Sequence, residues 1–337
     1  MGRALITVLL GDPRLADRSK PGERFTPDDL EQITRLKAAL ATLREFTFEY
    51  WDDHEKLLER AQRKPPEFVL NFCDTGFRND ARLELHVAAY LEMLGIPYSG
   101  SGPIALGLCY DKSLVRAVAS AHGIAVPREA LLSRDDELAS MDYPLFIKPN
   151  RGDGSVGISV HSLANTAAEA AAYLAQLRAD LPGSDILVQE FLRGDEYSVG
   201  VIGNPQAGFT FLPVLEVDYS ALHPRLPRLL DYGSKTDPQS PYWTDVRFRE
   251  ARLDERTTDQ IKHACSVLFA RLGLRDYGRF DFRCDIRGEA KLLEVNPNPA
   301  WCWDGKLAHM ASLQGETQGD LLSRIITAAR RRCFEVR

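Results

Sequence analysis

The sequence predicts a mixed α/β protein that begins with a parallel α/β layer and continues with regions richer in strands. In the first hundred residues, the apolar runs 5–10 and 68–72 alternate with the helical patterns 27–43 and 82–94. This alternation is typical of a parallel sheet covered by helices. Further along, short strand patterns joined by glycine turns predominate, which is the second observation behind the prediction.

The chain divides into three predicted domains, 1–103, 104–190 and 191–337, since 337 residues allow two or three domains of roughly 100–200 residues each. The second domain has predicted helices at 111–121 and 167–179 and predicted strands at 143–148, 158–161 and 186–191. The third has predicted strands at 196–202, 209–219, 277–284 and 290–296 and predicted helices at 255–272 and 319–331. The proline-rich stretch 220–245 is predicted to be a long irregular loop, and such loops are usually functional or disordered.

Composition disfavours several classes of function. The net charge is -6 with both signs interspersed, which does not favour binding to nucleic acid or to an anionic membrane. No apolar stretch approaches the roughly 20 residues that span a bilayer, and the N-terminal run lacks the cleavage pattern of a signal peptide. The 6 cysteines are scattered without a C-x-x-C pair, as expected for reduced thiols. We therefore expect a cytoplasmic protein without nucleic-acid or membrane partners.

The most informative segment is 277–296, where two strand patterns with period two flank a predicted two-residue turn. In that register Asp281 lies opposite Glu294. Two carboxylates about 5 Å apart across a strand pair weaken a sheet unless a cation lies between them. The side-chain oxygens of Asp281, Glu294 and Asn296 suit Mg²⁺ or Mn²⁺. The alternation also predicts that Leu292 shares the face of these acids.

Two alternatives stay open for this hairpin. A solvated face whose acids are neutralised by Arg279 and Arg283 explains the hairpin alone equally well. The pairing also depends on a turn made of Arg287 and Gly288, because a one-residue bulge at the turn would undo it.

A glycine-rich loop, 151–157, lies between two predicted strands. Its glycines, Gly154 among them, would let backbone N–H groups turn onto phosphate oxygens, and the Ser155 hydroxyl would add a donor. Lys148 ends an apolar strand, where a buried ammonium needs an anionic partner. Lys112 opens a helix, a poor place for a cation unless an anion binds there. A flexible turn and a solvated Lys112 are the simpler alternatives.

Four segments, in this order, resemble the D-alanine–D-alanine ligases and the ATP-grasp superfamily behind them. They are IPYSGSGPIALGLCYDK, YPLFIKPNRGDGSVGISV, ILVQEFLRGDEYSVGV and YGRFDFRCD followed by KLLEVNPNP. The resemblance covers most of the chain and implies a two-part α+β grasp fold after the N-terminal domain. It implies a ligase that forms an amide or peptide bond between a carboxylate and an amine through an acyl phosphate. The implied cofactors are ATP and two ions of Mg²⁺ or Mn²⁺.

The same resemblance implies roles for individual residues. Asp281, Glu294 and Asn296 match the family's metal ligands. The residues that match its nucleotide site are Lys112, Lys148, Gly154, Ser155, Gln189, Glu190, Leu192, Glu196 and Lys235. Among them, Gln189, Glu190 and Leu192 would line the adenine site and Glu196 would bind the ribose. Those that match its catalytic groups are Arg279, Lys235, Ser155 and Lys148. Lys235 lies in the stretch 220–245, which would then be a lid that closes over the nucleotide and excludes water.

Two departures from the family concern the substrates. The early H-S-x-E-x-x-V-S motif is missing, and the segment after Asn296 differs from the family's N-x-x-P-G-M-T and is one residue longer. We expect the substrate pocket to include Asp74, Arg78, Asn79, Ala300, Trp301, Trp303, Asp304 and Lys306. Lys306 can pair with a substrate carboxylate and Asp304 with a cationic group. Packing roles for both tryptophans, with Asp304 capping a helix, are an equal alternative.

The departures favour ligation of another amino acid, dipeptide or specialised metabolite over cell-wall D-Ala-D-Ala synthesis. A D-alanine–D-alanine ligase is the alternative enzyme, and a nucleotide-binding regulator without turnover is the alternative from another class. The mechanism requires no side-chain nucleophile, so we expect no covalent role for Cys302. The resemblance also suggests a homodimer.

Overall fold

A computed structural model describes residues 3–152, 155 and 157–335, with the backbone alone at 235 and 236. Over these residues the chain forms three sheets of three, four and six strands, one after another along the sequence. This mixed arrangement confirms the predicted fold class.

The first sheet is the predicted parallel α/β layer. Its strands are β1 (Ala4–Leu9), β2 (Phe46–Trp51) and β3 (Val69–Asn71), and its helices are α1 (Pro27–Ala41), α2 (Leu57–Arg63) and α3 (Glu84–Met93). The strand order is β2-β1-β3, and both pairs are parallel. Helix α1 begins where it does because Thr26 and Asp29 form a capping box and Pro27 takes the first helical position. Strand β2 and helix α2 were not predicted, although the aromatic run of β2 favours a strand.

The second sheet is antiparallel. Its elements are α4 (Pro103–Cys109), α5 (Lys112–Ala121), β4 (Glu129–Leu132), β5 (Leu145–Pro149), β6 (Leu163–Ala164), α6 (Ala167–Asp180) and β7 (Ile186–Glu190). The order is β4-β7-β5-β6. The predicted strand 158–161 is wrong, because Val160–Ser162 forms a 3₁₀ helix that is capped by Ser159 and Ser162.

The third sheet is also antiparallel. Its strands are β8 (Glu196–Asn204), β9 (Gly208–Phe211), β10 (Leu215–Asp218), β11 (Arg247–Glu250), β12 (Tyr277–Cys284) and β13 (Ala290–Asn296). Its helices are α7 (Gly233–Thr236), α8 (Pro241–Thr244), α9 (Glu255–Arg271), α10 (Lys306–Leu313) and α11 (Gln318–Phe334). The order is β11-β10-β8-β12-β13, and β9 pairs with β8. The predicted strand 209–219 is therefore two strands, and the predicted loop 220–245 contains two one-turn helices.

The hairpin of β12 and β13 has the predicted pairing where the acids lie. Asp281 is opposite Glu294, and Arg279 is opposite Asn296. Strand β8 pairs with β12 on the side away from β13. Strand β12 is therefore an inner strand of the sheet, and β13 is an edge strand.

The turn of this hairpin differs from the prediction. It has three residues rather than two, since the backbone N–H of Asp285 donates to the carbonyl of Glu289 and Gly288 adopts a φ of 83°. A bulge at Leu293 then shifts the register back by one residue. The bulge also explains why the predicted face of Leu292 is wrong. This residue does not share the face of the acids but is fully buried in the core.

The C-terminal helices return to the N-terminal sheet. One core cluster joins Ile6 and Val8 of β1 to Met310 of α10 and to Ile325 and Ile326 of α11. This packing brings the loops that follow β1 and β3 next to the segment that follows β13. Among the described helices, none has the length and apolar character that crossing a membrane requires.

Candidate active site

The centre of the candidate site is the pair Asp281 and Glu294, which face each other across β12 and β13. Asn296 Nδ2 donates to Asp281 Oδ2 at 3.2 Å, which leaves the amide oxygen of Asn296 available. Arg279 donates to Asp281 Oδ2 from Nη2 at 2.9 Å and lies 4.0 Å from Glu294 Oε1. The three predicted metal ligands thus lie together and offer side-chain oxygens. This donor set fits a hard divalent cation such as Mg²⁺.

Neighbouring cations hold both carboxylates in their charged form. Burial acts to raise the pKa of Asp281, but Arg279 and Lys306 outweigh it, and the pKa is lowered. Burial acts in the same direction on Glu294, and so does Asp281, yet Lys112 and other cations leave its pKa lowered as well. Two ionised carboxylates that face each other are a suitable site for a divalent cation.

Two residues from outside the hairpin contact Asp281. Ser198, on β8, donates from Oγ to Asp281 Oδ1 at 2.5 Å. Lys306 Nζ donates to Ser198 Oγ at 2.8 Å and lies 3.5 Å from Asp281 Oδ1. Lys306, which we predicted in the substrate pocket, therefore lies directly beside the candidate metal site.

Buried lysines lie near Glu294. Lys112 Nζ is 4.0 Å from Glu294 Oε2 and donates to the carbonyl of Gly152. Lys148 is only 5% exposed, and burial, together with the neighbouring Arg116, lowers its pKa to about 7. Over the described part of the chain, the ion pairs within 4.0 Å do not include Lys148. A cleft with buried and partly unpaired ammonium groups favours an anionic ligand.

The start of α5 is tied to the end of β5. Asn150 is fully buried, its Oδ1 accepts from the backbone N–H of Ser113 at 2.9 Å, and its Nδ2 donates to Asp111 Oδ1 at 2.8 Å. Asp111 also caps α5, because its Oδ1 accepts from the N–H of Leu114 at 3.0 Å. These bonds bring the two lysines to one cleft.

The glycine-rich loop lies next to this cleft. Gly154 lies outside the described residues. Ser155 has a φ of 66°, and its carbonyl accepts from the N–H of Ile158 at 3.0 Å. Tyr173 of α6 donates to the carbonyl of Gly157 at 2.9 Å and holds the end of the loop. The phosphate-binding role of this loop stays a prediction.

The segment predicted to bind the adenine is buried and held by ion pairs. Gln189 Nε2 donates to Glu129 Oε2 at 2.9 Å. Burial acts to raise the pKa of Glu190, but hydrogen bonds from Lys291 and Arg128 lower it. Leu192 is buried beside this segment. Its side chain would offer an apolar surface to a base.

Glu196, predicted at the ribose, uses one of its two oxygens. Tyr219 Oη donates to Glu196 Oε2 at 2.9 Å, and Arg283 Nη1 donates to the same oxygen at 3.3 Å. The hydrogen bonds of the described residues leave Oε1 without a donor. This oxygen is therefore the one that can accept from ribose hydroxyls.

The predicted lid contacts two other parts of the cleft. The backbone N–H of Tyr232 donates to the carbonyl of Ile158 at 3.1 Å, and Tyr232 Oη donates to the carbonyl of Ser19 at 3.0 Å. The stretch therefore bridges the glycine-rich loop and the loop that follows β1. The side chain of Lys235 lies outside the described residues, and its role stays a prediction.

The predicted substrate residues on the N-terminal side differ in their surroundings. Burial raises the pKa of Asp74 to about 6, against the opposing influence of Lys20. Arg78 is exposed and has a φ of 56°. Asn79 uses its whole amide within the N-terminal part, since it donates to the carbonyls of Asp12 and Leu15 and accepts from the N–H of Asp12 and from Thr75. Asn79 therefore joins the loop that follows β3 to the loop that follows β1, and its place in the substrate pocket stays a prediction.

The predicted residues after β13 lie against the N-terminal part. Trp301 Nε1 donates to the carbonyl of Phe72 at 3.0 Å, and the two rings stack at 6.1 Å. The guanidinium of Arg35 lies 4.2 Å from the ring centre of Trp303. Trp301 thus favours the packing alternative, whereas Trp303 is 43% exposed and does not decide between the two alternatives. Ala300 is exposed.

Asp304 does not cap α10, because the capping position is Gly305 and no side chain caps the helix there. Its Oδ1 instead accepts from Gln32 Nε2 at 3.0 Å.

Sequence reasoning missed Ser198, Arg116 and Asp17. Asp17 is 1% exposed, and its Oδ2 is buried without a hydrogen bond from the described residues. A signal existed for Arg116, because Lys112 and Arg116 are four residues apart and therefore share one face of α5. The alternation of β8 places Ser198 between two apolar neighbours, Tyr197 and Val199, but it does not reveal which strand lies beside it.

Known ligases are similar to this chain in sequence and in fold. A family model described as D-ala D-ala ligase C-terminus matches residues 123–327. The D-alanine–D-alanine ligase of Bordetella pertussis is 30% identical over 245 residues, which are 71% of this chain and 72% of the relative.

Solved structures are similar over nearly the whole chain. The D-alanine–D-alanine ligase of Bacillus anthracis, complexed with ATP, superposes with a TM-score of 0.72 at 19% identity over 98% of this chain and 99% of that one. The VanG D-Ala:D-Ser ligase of Enterococcus faecalis has a TM-score of 0.69 at 19% identity over 97% and 100%. At this identity the solved structures establish the fold alone.

Proposed function

Because this chain belongs to the D-alanine–D-alanine ligase family of C–N bond-forming ligases, we propose that it joins the carboxylate of an amino acid or amino-acid-like metabolite to an amine. The reaction proceeds through an acyl phosphate and releases ADP and phosphate. The observation that carries the proposal is a cleft with two ionised carboxylates on one wall, Asp281 and Glu294, and two buried lysines beside them, Lys112 and Lys148.

The first step brings two anions together. A carboxylate oxygen of the substrate attacks the γ-phosphorus of ATP, the bond from that phosphorus to the bridging oxygen breaks, and ADP leaves. Lys112 and Lys148 place positive charge where the phosphates would lie, which lowers the repulsion. A divalent cation held by Asp281, Glu294 and Asn296 would supply further charge neutralisation to the phosphate oxygens.

The second step needs an oxyanion site. The amine attacks the carbonyl carbon of the acyl phosphate and a tetrahedral oxyanion forms. The bond from carbon to the phosphate oxygen breaks when the carbonyl is restored, and the leaving phosphate can take up the proton that the amine nitrogen loses. Arg279 lies beside the acids and supports this role by its position, and backbone N–H groups near Ala300 can add donors. Water must be kept out meanwhile, and the contacts of Tyr232 with Ile158 and Ser19 support a lid that closes this cleft.

The surroundings of Lys306 support an amine substrate that itself carries a carboxylate. Its ammonium is held beside Asp281 by Ser198, close to the reacting centre, where it can pair with an anionic group of the second substrate. Asp304 is a weaker candidate for a substrate contact, since Gln32 already donates to it.

The departures of this sequence from the family's substrate motifs favour a product other than the cell-wall dipeptide. D-Alanine–D-alanine ligation remains the alternative enzyme activity, because relatives with that name are 30% identical. A regulator without turnover is disfavoured by the complete set of acids and lysines. We also propose, from the family resemblance, a cytoplasmic homodimer, and light scattering on the purified chain tests the dimer.

The test is phosphate release from ATP with Mg²⁺, screened over pools of amino acids and small carboxylates. Release that requires two organic substrates supports the ligase, whereas ATP binding without substrate-dependent release favours the regulator. Release with D-alanine alone, at a rate that other amino acids do not match, favours the cell-wall enzyme.

One substitution ties this activity to the candidate site. Glu294→Gln should abolish turnover, because it removes one of the two facing charges and keeps the shape of the side chain. Glu289→Gln is the matched control, since Glu289 is an exposed acid at the turn of the same hairpin, and it should keep full activity. Retained activity in Glu294→Gln would remove Glu294 from the site.

A further inference from the structure

Arg116 is a buried charge outside the reacting centre. It lies on α5, is 1% exposed, and is the largest fully buried side chain of the described residues. A guanidinium keeps its charge at all ordinary pH values, so its burial is unfavourable unless its donors find partners. Arg116 Nε donates to the carboxylate of Glu129, and Nη1 donates to the backbone carbonyl of Leu293, while Nη2 is buried without a hydrogen-bond partner among the described residues. The choice of these two partners indicates what the residue does.

Leu293 is the bulge residue of β13. In the described pairing of β12 and β13 it has no partner, because Asp281 pairs with Glu294 and the next pair along involves Leu292. The backbone N–H of Leu292 donates to the carbonyl of Ala125 at 2.9 Å, just beyond α5. Helix α5 and the segment after it therefore hold the outer edge of β13 on both sides of the bulge.

The bulge decides where Glu294 points. Successive residues of a regular strand alternate between the two faces, and a slip of one residue moves each side chain to the other face. Leu292 and Val295 are three apart, yet both lie in the same core cluster. Only the extra residue at Leu293 allows this and still leaves Glu294 opposite Asp281. A side chain that holds the carbonyl of Leu293 therefore holds Glu294 in the site.

Glu129 connects the same arginine to the base-binding segment. Its Oε2 accepts both from Arg116 and from Gln189 Nε2, the latter at 2.9 Å. Gln189 lies in the segment proposed for the adenine. After burial, Arg116 is also the strongest influence on the pKa of Lys148, so its charge is close to the phosphate side of the cleft as well. The guanidinium of Arg116 thus contacts both Leu293, which precedes Glu294, and Glu129, which binds Gln189.

We infer that Arg116 is a positioning residue: through Leu293 and Glu129 it fixes the metal ligand Glu294 and links it to the nucleotide's base site. The inference rests on the proposed function for the identity of these two sites. Arg116 acts on Glu294 through Leu293 and on Gln189 through Glu129, and at 1% exposure it is too buried to contact a substrate itself. Loss of such supporting contacts to a ligand of a metal lowers metal affinity or activity about 10–100-fold.

The test compares Arg116→Gln with the wild type in two measurements. The first is the Mg²⁺ concentration that gives half-maximal phosphate release at saturating ATP, which we expect to rise about tenfold or more. The second is Mn²⁺ binding to the complex with a non-hydrolysable ATP analogue, followed by calorimetry, which we expect to weaken by a similar factor without any turnover. The KM values of the organic substrates should change less than about twofold, because Arg116 does not line their pocket.

The matched control is Arg332→Gln. Arg332 is a partly buried arginine that also pairs with a buried acid, Asp276, and donates to a backbone carbonyl, that of Tyr98, away from the cleft. This variant should lose stability and keep the Mg²⁺ dependence of the wild type. A general effect of removing an arginine would instead shift both variants alike and would overturn the inference.

Arg116→Lys covers the case in which Arg116→Gln does not fold. A lysine keeps the charge but lacks the planar fork that reaches Glu129 and Leu293 together, so we expect an intermediate rise in the Mg²⁺ requirement. Wild-type Mg²⁺ and Mn²⁺ affinities in either folded variant would overturn the inference and leave the ligase proposal standing. A wild-type protein that binds neither nucleotide nor metal would overturn the proposed function itself, which is a different result.

Discussion

Lys148 titrates near neutrality in the free protein, and nucleotide binding should therefore be coupled to proton uptake. Burial, aided by Arg116 and Lys112, lowers its pKa to about 7. At pH 8 a group with that pKa is about nine-tenths neutral. Phosphate oxygens beside the amine favour its charged form and raise its pKa again. If the pKa in the complex is about 9 or higher, binding takes up about 0.8–0.9 proton at pH 8 and about 0.1 proton at pH 6.

Isothermal calorimetry measures this uptake directly. ATP is titrated into the protein at pH 8 without metal, in buffers of different ionisation enthalpy, and the slope of the observed heat against that enthalpy is the number of protons. ATP itself contributes little at pH 8, because the second ionisation of a terminal phosphate has a pKa of about 6. Lys148→Arg is the matched variant, since a guanidinium stays charged, and its uptake should fall close to zero.

The sign of the pH dependence follows from the same shift. Because binding raises the pKa of Lys148, the protein binds ATP most tightly below pH 7. The affinity for ATP declines as the pH rises, by up to about tenfold per pH unit, until the pKa of Lys148 in the complex is reached. Tight ATP binding at pH 8 with no proton uptake would refute the argument. Equal uptake by the wild type and Lys148→Arg would assign the proton to another group.

Two further predictions concern residues outside the reacting groups. Cys302→Ala should keep substrate-dependent phosphate release within about twofold of the wild-type rate. Burial and the neighbouring Asp74 raise the pKa of this thiol and leave no thiolate to act as a nucleophile. A loss of rate above about tenfold would contradict this. Asp276→Asn should lower the free energy of unfolding in urea by about 3 kcal/mol, because the fully buried carboxylate accepts from Arg332 and from the N–H of Gly100. The activity per folded molecule should not change. An unchanged midpoint of urea unfolding would refute this prediction.

Local patterns were sufficient to predict the fold class and most of the elements. Helix α1 begins at Pro27 because the signals that start it, Thr26 and Asp29, are neighbours in the sequence. The period-two alternation of 277–284 likewise predicts a strand without knowledge of any distant residue. The lysine at the end of an apolar strand was recognised in the same way, whereas the segment after the glycine-rich loop was not, because it forms a 3₁₀ helix and not a strand.

The contacts that complete the site could not be predicted in this way, because they join distant parts of the chain. Ser198 and Asp281 are 83 residues apart, and Arg116 and Leu293 are 177 apart. Trp301 bonds to Phe72 across 229 residues, which is why its packing role could not be separated from a pocket role in the sequence. Such contacts depend on how the sheets meet, and periodicity within a segment carries no information about that.

The hairpin shows how a correct pairing can follow from an incomplete argument. Counting back from a two-residue turn placed Asp281 opposite Glu294, but the turn has three residues and the count should have failed by one. The bulge at Leu293 restores the register. It also allows Leu292 to enter the core while Glu294 faces the cleft, which strict alternation would not permit, because these two residues would then share one face. Without it, either Leu292 would leave the core or Glu294 would turn into it, among Phe280 and its neighbours, where an unpaired carboxylate is strongly unfavourable. The requirement that a leucine enter the core and a glutamate enter the cleft therefore explains the bulge, and the arginine that holds its carbonyl explains how it is maintained.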